Sequence, residues 1–279
     1  MHSLSGRTIA VTGAGSGIGR ALALNLAQRG AKLALADKDD AGLLETSRLL
    51  GNYPHFAESF DVTDTAKLEA WVERSIAEFG ALDGIINNAG LSVVAPFADC
   101  PPADFDRVMN VNFDAVVAGC RAALPHVRKS QHGWIVNISS VFGMMGYPTQ
   151  SAYNASKFAV RGFTEALYLE LGVTDPHVTV IRVHPGGIKT NVAKNAKKIA
   201  TMTGEPMALD SDEEFQKAAK TTPEQAAEII VRGMEKGQHR VLIGADAKMI
   251  DILTRLFPVS YFKKIGGFLG GGNAQPGSK

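Results

Sequence analysis

The sequence predicts an α/β domain, doubly wound around a mainly parallel sheet of seven strands. Three observations predict it. Short apolar runs alternate with longer segments of helical period along most of the chain. The runs are near-continuously apolar rather than alternating, which implies strands buried on both faces. A glycine-rich turn follows the first run and opens the first helical segment.

Taken in order, Arg7–Thr12 reads as the first strand and Ile18–Gln28 as the helix after it. Lys32–Asp37 is the second strand, followed by a helix near Gly42–Leu50. His55–Phe60 is a weaker third strand, and a helix follows from Thr65 to Phe79. Asp83–Asn88 makes the fourth strand. Helical pattern then covers Pro102–Lys129, broken or bent near Asn110. Gly133–Ser139 is the fifth strand, Tyr153–Leu171 a long helix, Val178–His184 the sixth strand and Arg240–Gly244 the last. Strands alternating with helices in this way imply βαβ units. Thr190–Lys220 shows no strand and mixed polarity, which favours a lid or binding loop. Thr222, Pro223 and Gln225 then announce a helix through a capping box. Residues 1–244 are expected to form a single catalytic domain that includes the loop at about 190–220. Residues 245–279 read as a C-terminal extension, first helical and then disordered in a Gly-rich end.

Composition narrows the classes. The 279 residues are 45% hydrophobic and 20% charged, which is ordinary globular usage. Lys and Arg number 29 against 28 for Asp and Glu, so no electrostatic footprint for nucleic acid exists. Two cysteines, Cys100 and Cys120, are too few for a disulfide framework and suit a reducing cytoplasm. No apolar run approaches the length of a membrane span. The tail's apolar series, with Arg255, Lys263 and Lys264, admits a membrane-surface helix, but Pro258 interrupts the period. Packing on the protein or on a sister subunit is the favoured reading. The seven histidines form no zinc-like cluster, so no metal is expected.

The chemistry lies at strand ends. The turn Gly13-Ala14-Gly15-Ser16-Gly17-Ile18-Gly19 lets the backbone approach a pyrophosphate at a helix N-terminus. Alone, it is equally a tight βα turn. Asp37 ends the second strand, where an acidic side chain can accept from an adenosine ribose; its plain alternative is a helix cap. Tyr153 and Lys157 stand at i, i+4 on one helical face, where a cation favours the phenolate of a neighbouring tyrosine. Such a pair also arises by chance. Ser139-Ser140 ends the fifth strand, Asn87-Asn88-Ala89-Gly90 the fourth and Pro185-Gly186-Gly187 the sixth. All fall at one edge of one sheet.

In order and spacing, these motifs and the Asn110-Val111-Asn112 segment resemble the short-chain dehydrogenase/reductase family, over about Leu4 to Gly244. The resemblance implies a three-layer, Rossmann-type sandwich that binds NAD, with NADP the lesser alternative. It implies that Tyr153 is the general acid/base, that Lys157 lowers its pKa and holds the nicotinamide ribose, and that Ser140 bonds the substrate oxygen. Ser140 is preferred to Ser139 because the family places this serine thirteen residues before the tyrosine. Asn112 would orient a water in the proton relay, in preference to Asn110. Asp61 and Val62 would meet the adenine, Asn88, Ala89 and Gly90 would flank the cofactor with Pro185 and Gly186, and Ile188 and Thr190 would contact the carboxamide.

The implied activity is hydride transfer between a nicotinamide and a secondary alcohol or ketone. Two other readings remain: an NADPH-dependent 3-oxoacyl reductase, suggested by Lys38 beside Asp37, and a catalytically silent nucleotide-binding homologue. Candidate pocket residues are Leu91, Val93 and Val94, and Phe142, Met144, Met145 and Tyr147 with Ser140 and Tyr153. Their apolar character favours a lipophilic substrate, although the same residues also suit a core. By resemblance, the chain is expected to form a homotetramer or homodimer on the helices at Pro102–Lys129 and Tyr153–Leu171.

Overall fold

In the computed structural model, which describes residues 1–189, 196–199 and 219–266, seven strands join in one parallel sheet. They are β1 (Thr8–Thr12), β2 (Lys32–Asp37), β3 (His55–Ser59), β4 (Gly84–Asn87), β5 (Gly133–Ile138), β6 (Val178–Pro185) and β7 (Arg240–Ile243). Their spatial order is β3-β2-β1-β4-β5-β6-β7. The order reverses between β1 and β4, the place where open sheets of this kind bind ligands. Every pairing is parallel, including that of the last strand.

Alternation within each strand explains the unbroken apolar runs. Ile9, Val11, Leu33, Leu35 and Val136 point into one apolar layer with helices α1 (Gly17–Gln28), α2 (Asp40–Leu50) and, much further along the chain, α7 (Pro223–Glu235). Ala10, Ala34, Ala36, Ile85 and Ile135 point into the other layer. That layer holds α3 (Thr65–Phe79), α5 (Ala115–Val127) and α6 (Ser151–Thr174). Both faces are covered, so neither needs polar residues.

Helix starts follow local chemistry. Asp39 caps α2 through the Gly42 N–H, and Asp64 caps α3 through that of Lys67. The capping box at the start of α7 forms as the sequence predicts. Thr222 Oγ1 accepts from the Gln225 N–H at 3.3 Å, and Gln225 Oε1 accepts from the Thr222 N–H at 3.0 Å.

One feature makes an expectation specific and two depart from the sequence reading. The break near Asn110 is a π-helical turn over Asn110–Asp114, inserted between α4 (Pro102–Met109) and α5. Lys197–Lys198, inside the stretch expected to hold no strand, pairs in parallel with Val93–Val94. The pairing is anchored by an ion pair, Lys197 Nζ to Asp104 at 2.7 Å, which a reading of local pattern does not register. The remainder of the expected lid, with Thr190, lies outside the described residues, as does the Gly-rich end. The second departure is the length of the long helix, α6, which runs past its expected bounds at both ends, from Ser151 to Thr174.

Beyond β7 the chain forms α8 (Ala245–Leu256) and α9 (Tyr261–Gly266). Ala247 and Ile250 of α8 are buried against Val141, Met144 and Met145, so this part of the tail packs on the protein. Among the described residues no helix is long and apolar enough to cross a membrane.

Candidate active site

The register of the sheet brings the ends of β1, β2, β4, β5 and β6 to one edge. From Thr12 the chain turns through Gly13 to Ser16 into α1. A Cβ on Gly19 would lie 1.9 Å from the Gly13 carbonyl oxygen, so only glycine lets α1 pack on this turn. The neighbouring strand end is laced to it. Thr12 Oγ1 accepts from the N–H groups of Asn88 and Ala89 at 3.0 and 3.1 Å. Asn88 Nδ2 donates to the carbonyls of Thr12 and Gly13 at 2.9 and 3.2 Å.

Asp37 accepts from the Gly15 N–H at 2.8 Å and from the Asp39 N–H at 2.9 Å. Ser16 is exposed at the N-cap of α1, and Gly17 and Ile18 are half-buried in its first turn. First-turn N–H groups have no partner within their own helix and favour an anion. A backbone this close, a helix N-terminus and a strand-end carboxylate together suit a dinucleotide. Asp61 is exposed and accepts from the Thr63 N–H and hydroxyl at 3.0 and 2.8 Å, while Val62 beside it is buried.

The second cluster gathers on α6. Ser140 Oγ accepts from the Phe142 N–H at 3.1 Å and lies near enough to the Tyr153 phenol to pull its pKa down. Lys157 is buried, its Nζ donating to the Ile138 carbonyl at 2.9 Å and lying 5.6 Å from the centre of the Tyr153 ring. Ser139 turns away from the phenol and donates to the Lys157 carbonyl at 2.8 Å. Asn112 is brought inward by the π-helical turn and is wholly buried. Its Oδ1 accepts from the Leu91 N–H at 2.9 Å, and its Nδ2 donates to the Leu91 carbonyl and to Ser156 Oγ at 2.9 and 3.0 Å. One lone pair of Oδ1 stays free of these bonds.

Desolvation dominates the electrostatics of this cluster. Withdrawal from water pushes the Tyr153 phenol up to about 12, against a smaller opposite pull from Ser140. Desolvation also brings Lys157 down to about 8. Spacing at i, i+4 conveys proximity, but the cost of desolvating either charged form is set by the packed surroundings.

Gly90, between Asn88 and Leu91, faces Asn112 Oδ1 and Lys157 Nζ. Pro185 closes β6, and Gly186 donates its N–H to the Ile243 carbonyl at 2.9 Å. Ile188 is buried in the core layer below and bridges to Thr221. On the substrate side, Met144 and Met145 are buried beneath α8, whereas Phe142 and Tyr147 are half-buried. Phe142 meets the Tyr153 ring edge-on at 6.1 Å and stacks on Tyr147 at 5.1 Å.

Two residues that matter to this geometry escaped the sequence reading. Asn154 donates to the carbonyls of Phe142 and Met145 and accepts from the Tyr147 N–H, which ties the loop after β5 to α6. Its position next to Tyr153 was the available signal. Tyr261 of α9 accepts the Gly146 N–H at 2.8 Å, a contact that no local motif announces.

A doubly wound sheet with a glycine-rich turn and a Ser–Tyr–Lys cluster at its switch edge defines a nucleotide-dependent oxidoreductase type of site. The chain belongs to the short chain dehydrogenase family, whose model matches residues 7–200. It is 46% identical over 264 residues to SadH of Mycobacterium tuberculosis, a protein named as a candidate oxidoreductase; the match covers 94% of each chain. It is 37% identical over 197 residues to the 3-ketodihydrosphingosine reductase of Bacteroides thetaiotaomicron, covering 71% of this chain and 69% of that one. A Burkholderia phymatum short chain dehydrogenase/reductase, solved in complex with NAD, aligns with a TM-score of 0.81 at 26% identity over the whole of both chains.

Proposed function

We propose that this protein is an NAD(H)-dependent oxidoreductase that interconverts a lipophilic secondary alcohol and its ketone. The observation that carries the reading is the desolvated Tyr153 phenol, beside Ser140 and with Lys157 Nζ 5.6 Å from its ring centre, at the sheet edge that holds the glycine-rich turn. NAD would be held by Gly13 to Gly19, Asp37, Asp61, Val62, Asn88 to Gly90, Lys157 and the turn at Pro185 to Ile188, with Thr190 beyond it. When bound, it supplies the hydride donor or acceptor. Solved relatives that contain NAD or NADH support this choice of cofactor.

The chain's own residues manage the proton and the charge. A phenol held near 12 keeps its proton at neutral pH, so Tyr153 is set to donate to the oxygen of a ketone under reduction. Ser140 bonds that same oxygen as negative charge develops on it. Lys157, charged below about 8, balances the phenolate left behind. In the opposite direction these roles reverse. Phe142 and Tyr147 give an apolar, aromatic wall beside the phenol, which supports a lipophilic substrate over a sugar. Exposed Phe158 and Leu169 on α6 support assembly into a homodimer or homotetramer through that helix.

The test is a panel of secondary alcohols and ketones, assayed with NAD or NADH and followed by NADH absorbance. Reduction of bulky apolar ketones with NADH is expected. Turnover confined to acyl thioesters with NADPH would favour the oxoacyl reductase instead. NADH binding without turnover of any member would favour a silent homologue.

A further inference from the structure

The turn that leaves β6 is held from an unexpected direction. Gly187 donates its N–H to the carboxylate of Asp246, in the first turn of α8, at 2.6 Å. A Cβ on Gly186 would meet the three terminal heavy atoms of the same carboxylate at 2.2 to 2.4 Å. A Cβ on Gly244 would lie 2.2 Å from its Oδ1. Glycines from the ends of two different strands therefore make room for one side chain. The remaining bonds of the turn are backbone to backbone: Gly186 N–H to the Ile243 carbonyl, and Lys189 N–H to that of Thr221 at 3.0 Å. These fix its two ends, and Asp246 fixes its middle with a bond strengthened by charge.

We propose that Asp246 is a positioning residue for the nicotinamide end of the cofactor site, and that position 186 is glycine to admit the Asp246 carboxylate. The inference rests on the NAD reading above. By accepting from Gly187, Asp246 sets the path of the chain into Ile188, which on the NAD reading would meet the cofactor's carboxamide. Asp246 lies beyond residue 200, where the family match ends, so the C-terminal extension takes part in the cofactor site without carrying a cofactor motif.

The experiment is NADH titration by fluorescence, with steady-state kinetics and thermal melting, on the full chain and four variants. Asp246→Ala is expected to weaken NADH binding and raise the KM for NAD about tenfold, the worth of one charge-assisted hydrogen bond, with kcat at saturating cofactor changed less than about twofold. Asp246→Asn, whose amide oxygen still accepts the Gly187 N–H, recovers most of that affinity. Gly186→Ala, which drives a methyl into the carboxylate, binds more weakly than Asp246→Ala. The double variant Gly186→Ala/Asp246→Ala binds as well as Asp246→Ala alone. Parental affinity in Asp246→Ala overturns the proposal, as does a Gly186→Ala penalty that is the same with and without the carboxylate. If Asp246→Ala lowers the melting temperature and leaves NADH affinity intact, the residue is structural and the positioning role falls. Failure of the parent chain to bind NADH would defeat the cofactor reading itself, a result distinct from any of these.

Discussion

His184 sets a pH limit on stability whose size follows from its surroundings. It sits near the end of β6, fully buried, with Nδ1 3.0 Å from the Ser140 carbonyl. A carbonyl can only accept, so Nδ1 carries the proton of the neutral ring, and Nε2 is buried without a hydrogen-bond partner among the described residues. Charging the ring would desolvate a cation beside Arg240, Arg161 and Arg182, and burial is the larger cause that lowers its pKa from 6.5 to about 4. The unfolded chain binds a proton as pH falls through 6.5, and the folded chain refuses one until about 4. Between those values the unfolded state holds more protons, so stability is complete above the window and declines as pH falls. The decline amounts to about 2 kcal/mol at pH 5 and approaches about 3 kcal/mol below pH 4. His132 is lowered to about 4 as well and titrates in the same window, so the parent's slope alone is not diagnostic. His184→Asn keeps a donor toward Ser140 and removes the titration. Urea unfolding of both proteins at pH 7.5 and pH 5 is the assay. The variant should be less stable at pH 7.5 but lose about 2 kcal/mol less than the parent on acidification. Equal losses in the two proteins would refute the assignment.

Two further outcomes are expected. Tyr153→Phe keeps the ring against Phe142 and removes the proton, so kcat should fall roughly 10²- to 10⁴-fold while NADH affinity, read by fluorescence titration, changes little; retention of most activity would sink the mechanism. Asp37 is expected to favour NAD over NADP by about ten- to a hundredfold in kcat/KM through repulsion of a 2′-phosphate. Asp37→Ser should erase most of that difference, since it removes the charge that faces the Gly15 N–H. Equal use of the two cofactors by the parent would make Lys38 dominant and bring the oxoacyl reductase reading forward.

The sheet was legible because its cause is local. Ile9 and Val11 must be apolar for one helical layer and Ala10 for the other, so burial on both faces is written into consecutive residues. The glycine turn was legible for the same reason, since Gly13 and Gly19 touch each other within one βα unit. What escaped depends on partners far along the chain. Lys197–Lys198 becomes a strand only because Val93–Val94 lies alongside. Met144 and Met145 suited both a pocket and a core, and the arrival of α8, about a hundred residues later, decides for burial. The raised pKa of Tyr153 sums the packing of several elements and cannot be read from the spacing to Lys157.

The polar residues at the sheet edge share a physical reason for being there that is separate from catalysis. Beyond the last ladder bond, the loops that leave parallel strands have no neighbouring backbone in register, yet their polar groups are still withdrawn from water. Side chains take over the pairing. Asn88 holds the turn after β1, Asn112 holds Leu91, Asn154 holds the loop after β5, His184 holds Ser140 and Asp246 holds Gly187. Each reaches from its own helix, strand or loop to the backbone of a neighbouring strand end, so the edge is fixed as a set of linked backbones on which Tyr153, Ser140 and Lys157 are mounted. A site built this way loses position before it loses chemistry. Replacing Asn88, Asn154 or Asp246 should therefore first appear in cofactor affinity or KM, whereas replacing Tyr153 should appear in kcat, and that division separates the two kinds of residue by experiment.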